Sequence, residues 1–121
     1  MTVRAYSLLD LIAEKLRALL QQPSRKRNRR QDVYDIASLL KQFALDHAEK
    51  TSLLALLREK CRARAIEPDR EALSQPDVRE RAEKDWDTLG LEIDELPAFD
   101  LCFEAVDGFY RSLPWEEPGE A

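Results

Sequence analysis

Apolar residues recur at helical spacing along most of the chain. Leu8, Leu9, Leu11, Ile12, Leu16, Leu19 and Leu20 follow one another at the intervals of an amphipathic helix. Ser7 supplies a start signal, and Asp10, three residues on, imitates a capping-box acid. A second stripe begins near Gln31 or Asp32 and buries Val33, Ile36, Ala37, Leu39, Leu40, Phe43 and Ala44. A third helix is predicted over residues 51–64, with Leu53, Leu54, Leu56, Leu57 and Cys61 on one face. A fourth, over residues 77–89, has a narrow stripe of Val78, Ala82, Trp86 and Leu89; Pro76 opens it and Gly90 is suited to stop it. A fifth, over residues 99–113, carries Leu101, Cys102, Ala105, Val106, Phe109 and Tyr110. Gly108 inside it costs about 1 kcal/mol relative to alanine and suits a close helix contact.

The alternation of Val3 and Ala5 with polar neighbours fits a short strand over residues 2–6, an orphan edge unless a sheet lies elsewhere. The expected fold is therefore mainly α: about five helices in one bundle-like domain over residues 1–121, one short N-terminal strand, and a fraying tail at residues 114–121.

Composition narrows the function classes. A chain of 121 residues suits a single core. Cys61 and Cys102 lie in helical patterns without C-x-x-C spacing, which predicts reduced thiols rather than a disulfide or zinc site. No apolar run reaches membrane-spanning length and the N-terminus lacks a signal-peptide pattern, so a cytoplasmic protein with no membrane partner is expected. His47 is the only histidine, which disfavours histidine-based triads, and no metal cluster presents itself. The net charge of −5 hides a division: residues 1–65 carry 14 basic and 7 acidic side chains, residues 66–121 carry 5 and 17.

Candidate chemistry gathers at the first two helices. Lys15 projects into the leucine stripe between Leu11 and Leu19, so it must snorkel outward, meet an acid or face an anion. Asp32 and Asp35 open the next helix three residues apart; they suit the helix dipole and also one shared ligand or ion. The loop between the helices holds Arg25, Lys26, Arg27, Arg29 and Arg30. Such a run is either a solvated loop or a set of phosphate contacts. No aromatic residue is interleaved with it, which argues against a single-strand nucleic-acid platform.

The run from Tyr6-Ser7-Leu8 through Ala13-Glu14-Lys15-Leu16-Arg17-Ala18-Leu19 to Arg30-Gln31-Asp32-Val33-Tyr34-Asp35-Ile36 resembles the AbiEii/AbiGii nucleotidyltransferase toxins of toxin–antitoxin and phage-defence systems. Leu96-Pro97-Ala98-Phe99-Asp100 and the closing Leu113-Pro114-Trp115 are similar to that family's tail. Gln31 stands where arginine is usual, and the chain has no Gly-Ser dipeptide.

The resemblance therefore implies the helical C-terminal portion of such an enzyme, without its N-terminal metal-binding half. On that expectation the chain would be a shortened form, a degraded gene or a stand-alone domain that joins a separate catalytic chain. It also implies nucleotidyl transfer to an acceptor such as tRNA, with Lys15 on the triphosphate and Asp32 or Asp35 orienting base, sugar or lysine. Mg²⁺ and a nucleoside triphosphate are implied for the complete enzyme, with no cofactor in this chain and an antitoxin as partner. The alternative is a non-catalytic helical module that binds an antitoxin or another chain.

Overall fold

The structure, a computed structural model, describes residues 3–116, with side chains from residue 5 onward. Among the described residues six α-helices follow one another: α1 (Val3–Leu20), the single turn α2 (Gln22–Arg25), α3 (Arg30–Gln42), α4 (His47–Arg62), α5 (Pro76–Glu83) and α6 (Phe99–Arg111). A 3₁₀ segment, Trp86–Leu91, lies between α5 and α6. The fold is mainly helical as expected, and no strand occurs among the described residues.

The expected N-terminal strand is corrected. Val3 to Tyr6 form the first turns of α1, and Ser7 lies inside the helix rather than capping it. No other described segment is a strand for this stretch to pair with, whereas continuing the helix satisfies its backbone groups internally. The tail residues 117–121 lie outside the described residues.

One core joins all the longer helices. Leu9, Ile12, Ala13, Leu16 and Leu19 of α1 are fully or almost fully buried. They pack most extensively on α4, which contributes Leu53, Leu54, Leu57 and Cys61, and then on α3, which contributes Val33, Ile36 and Ala37. α3 in turn reaches α6, whose Cys102, Phe103, Val106 and Tyr110 are buried. The pairing of α1 with α3 is present, but the helix following α3 takes the larger share of the α1 surface. Leu11, at the stripe's edge, stays exposed.

α4 begins four residues earlier than its apolar pattern suggests. Asp46 accepts from the Glu49 amide at 2.8 Å while Glu49 Oε1 accepts from the Asp46 amide at 3.0 Å, a complete capping box.

The long fourth helix is also corrected. α5 ends at Glu83, Lys84 turns extended, and Asp85 takes a left-handed conformation (φ 59°) before the 3₁₀ turn. The break delivers Trp86 to the core, where its Nε1 donates to the Pro97 carbonyl at 3.0 Å. Its ring meets Phe99 edge-on at 5.3 Å, and Phe99 stacks on Phe103. Gly90 therefore sits within the 3₁₀ segment, without the positive φ of a helix stop. Gly108 is exposed, and a Cβ there would meet nothing within 4 Å, so it serves no close helix contact.

Candidate functional site

Lys15 meets both expected acids. Its ammonium lies 3.3 Å from Asp32 Oδ1 and 2.9 Å from Asp35 Oδ2, bridging α1 to the first turn of α3. The lysine side chain is 21% exposed and that of Asp32 only 6%. Asp32 does not cap its helix; its second oxygen accepts from Arg29 Nε at 2.7 Å. Asp35 accepts from Gln31 Nε2 at 2.9 Å through its other oxygen. Two cations thus face two carboxylates, and the cluster is neutral. An ammonium has three donors, and two are used here. Burial alone would lower the Lys15 pKa, but the Asp35 hydrogen bond and the charges of Asp32 and Asp35 outweigh it and hold the lysine above its ordinary value.

The basic loop is fixed from within by Gln22, which is fully buried. Its Nε2 donates to the carbonyls of Leu19 (3.0 Å) and Val78 (3.1 Å), and its Oε1 accepts from the Arg29 amide at 2.8 Å. One side chain therefore ties the end of α1, helix α5 and the loop together. Lys26, in the left-handed region (φ 52°), reverses the chain after α2.

The loop's cations then separate. Arg25, Arg27 and Arg29 line a cavity of about 380 Å³ together with Arg17, Arg64, Ala18 and Gln21. Arg30 is not among its lining residues and donates to Thr88 Oγ1 at 2.9 Å, and Lys26 does not line it either. Lys15 does not line the cavity; it connects with it only through Asp32 and Arg29. Arg17 is held by hydrogen bonds to Glu14 Oε1 and Gln21 Oε1. Among the described residues, Arg25, Arg27 and Arg64 make no ion pair with a carboxylate. Burial, and then the charges of Arg64 and Arg29, lower the pKa of Arg17, as expected where guanidinium groups crowd with few anions.

Arg17 and Arg64 were not legible as site residues from the sequence. Arg17 sits two positions after Lys15 and looks like a helix-surface charge; Arg64 follows α4 and reads as a dipole-matching cation. Only the packing of α1 on α4 joins them.

A family model described as "Nucleotidyl transferase AbiEii toxin, Type IV TA system" matches residues 1–105. The chain belongs to this family. Neither a curated protein nor a solved structure matches it. The match takes in α1 to α5 and the first half of α6, including Lys15, Asp32, Asp35 and every arginine of the cavity. No described helix of this AbiEii-family chain is long and apolar enough to cross a membrane.

The residues present do not fit Mg²⁺. Asp32 and Asp35 already face Lys15, a cation that would repel the metal, and Asp32 also accepts from Arg29. Among the described residues no group of three or more His, Cys, Asp and Glu side chains is arranged to hold a metal ion.

Proposed function

We propose that this AbiEii-family chain is a helical domain that contributes phosphate contacts to nucleotidyl transfer onto an acceptor such as tRNA, and that it is inactive alone. In that reaction an acceptor oxygen bonds to the α-phosphorus of a nucleoside triphosphate as the bond to the leaving pyrophosphate breaks. Negative charge on the phosphates must be met by fixed cations. The observation that carries the reading is the Lys15 ammonium, held by Asp32 and Asp35 with one donor left over, beside Arg29. Asp32 and Asp35 act here as positioning residues that aim the lysine. Arg25, Arg27 and Arg29 form the basic surround, whereas Lys26 and Arg30, which do not line the cavity, stand outside it. Mg²⁺ and the acids that bind it belong, on this reading, to another part of the enzyme, and an antitoxin is the protein partner.

The test is calorimetric titration of the chain with a nucleoside triphosphate. Lys15→Met should weaken binding about tenfold, the equivalent of one charge-assisted contact. Unchanged affinity would remove Lys15 from the phosphate site. The chain with Mg²⁺, radiolabelled nucleoside triphosphate and tRNA should give no labelled tRNA. Labelling that disappears in Lys15→Ala would show that the catalytic carboxylates lie within residues 1–121.

A second reading, a helical interaction module without chemistry, is favoured by one feature. A groove of about 400 Å³ between the α3–α4 junction and α6 is lined by Leu40, Phe43, Leu45 and Phe109, with Lys41 and Lys50 beside them. Phe43 there is 42% exposed. An antitoxin covering this groove would protect Phe43 without touching Lys15, which hydrogen exchange on the complex would reveal.

A further inference from the structure

Five arginines surround one cavity, and ion pairing accounts for only two of them, Arg17 with Glu14 and Arg29 with Asp32. The lining contains no carboxylate and no aromatic side chain. Arg25, Arg27 and Arg64 are exposed and have no acid partner among the described residues. A cavity of about 380 Å³ accommodates several phosphoryl groups but offers no ring on which a nucleobase would stack. The guanidinium fork pairs with phosphate oxygens through two parallel N–H donors, which lysine cannot do. The wall is also preset: Gln22 pins the Arg29 amide, and the Gln21 and Glu14 side chains hold Arg17 in place.

The geometry points to a binding site for a short run of phosphoryl groups, formed by Arg17, Arg25, Arg27, Arg29 and Arg64 and read without regard to the base. The inference deepens the proposed function, resting on its premise that this domain meets phosphate, and it moves the main anion site from Lys15 to the cavity beside it. Arg29 is shared between the two. Phosphate drawing Arg29 off Asp32 Oδ2 leaves Lys15 as that carboxylate's remaining cation, so occupancy of the cavity tightens the Lys15–Asp32 pair. The same phosphate chemistry is offered by a nucleoside triphosphate and by the backbone of an RNA strand.

The probe is inorganic tripolyphosphate, titrated calorimetrically into the whole chain at physiological ionic strength. Arg64→Gln and Arg25→Gln, both at exposed positions, should each weaken binding about tenfold. Arg30→Gln, a change of equal charge outside the cavity, should shift it by no more than about twofold because solvent and salt screen it. Absence of tripolyphosphate binding, or an Arg30→Gln loss as large as that of Arg64→Gln, would overturn the site. Competition then separates the sources, with support from either. Displacement by all four nucleoside triphosphates alike marks a triphosphate. Displacement by a single-stranded RNA oligomer, weakening steeply with salt, marks a phosphodiester backbone. The outcomes for the two proposals are separable. Loss of nucleotide binding in Lys15→Met with tripolyphosphate affinity unchanged in Arg64→Gln would leave the proposed function standing and remove the cavity. The reverse pattern would keep the cavity and remove Lys15.

Discussion

Arginines in two parts of this molecule are treated differently. Around α5 and α6, Arg79 reaches Asp100 (2.7 Å) and Glu104 (3.1 Å) while lying over the rings of Phe103 and Phe99. Arg111 pairs with Asp107 and Glu71, Arg81 with Asp77, and Arg70 with Glu116. In the corner made by α1, α2 and the end of α4, Arg25, Arg27 and Arg64 share a cavity with Arg17 and Arg29, and no acid lines it. Each partnered arginine in the first region is explained by the fold itself. In the second region Arg17 and Arg29 have acid partners, but Arg25, Arg27 and Arg64 are gathered beside them without one, an arrangement that is self-repelling until an anion arrives. The division of charge along the sequence therefore becomes a division in space: acid-rich packing around α5 and α6, and a wall of arginines where α1, α2 and the end of α4 meet. A larger cavity of about 640 Å³ lies in the acid-rich half, against Trp86 and Phe99, but Glu83, Asp85, Asp87 and Asp100 around it disfavour phosphate.

The sharpest way to break this comparison is to treat Arg79 as the structural extreme. Arg79→Ala removes two ion pairs and the cover over two aromatic rings. Because the side chain is about one-third exposed, solvent screening limits the loss to about 1–2 kcal/mol. Urea denaturation followed by circular dichroism would measure it. A change indistinguishable from zero would mean that the paired arginines are no more structural than the unpaired ones.

Lys15 stands between the two types, with partners like the first region and a position beside the second. Lys15→Met should cost about 1 kcal/mol, because Asp32 keeps Arg29 and Asp35 keeps Gln31 while methionine suits the leucine stripe. A drop in stability on the order of 3 kcal/mol would mark a structural ion pair and count against a phosphate role. Its pH dependence has a definite sign. The folded-state pKa of Lys15 is raised, so the stabilisation is fully present below the ordinary lysine value of 10.5 and is lost as pH rises through the folded value. The stability difference between wild type and Lys15→Met should therefore be constant from pH 7 to about 9.5 and shrink above it. The comparison with the variant is needed because Cys61, pushed up to about 11 by burial, also titrates in that alkaline range.

How much of this was legible depended on the range of the contacts. Lys15 and its two acids follow from helical projection, since the periodicity assigns each a face and a loop of limited length brings the helices together. The fit of Val78, Ala82, Trp86 and Leu89 to one stripe concealed the break at Lys84 and Asp85. That break is driven by docking Trp86 on Phe99 and Pro97, a tertiary demand that local propensity does not record. Val3 and Ala5 satisfied a strand alternation equally well as the first turn of a helix, too short a window for periodicity to decide. Gln22 stands just past the first leucine stripe with no pattern to single it out, and its contact with Val78 spans 56 positions. Arg64 was invisible for the same reason: its membership of the cavity exists only once α4 lies on α1.

The smallest expected effect is the one that sharpens the comparison most. Arg64→Gln deletes a charge from an exposed side chain with no carboxylate partner among the described residues, so the ordinary expectation for such a surface change is within about 0.5 kcal/mol of wild type. Its direction is more informative than its size. Removing one of five clustered cations relieves repulsion on Arg17, whose pKa is lowered by burial and then by Arg64, so the variant should be equal to or slightly more stable than wild type in buffer alone. With tripolyphosphate present the order should reverse, because a ligand that binds only the folded state raises its stability in proportion to the logarithm of ligand concentration over Kd. Thermal melts of both proteins, with and without tripolyphosphate, give the four midpoints required. An Arg64→Gln protein that is less stable in buffer and gains as much from the anion as wild type would place Arg64 with the structural arginines of the α5–α6 half.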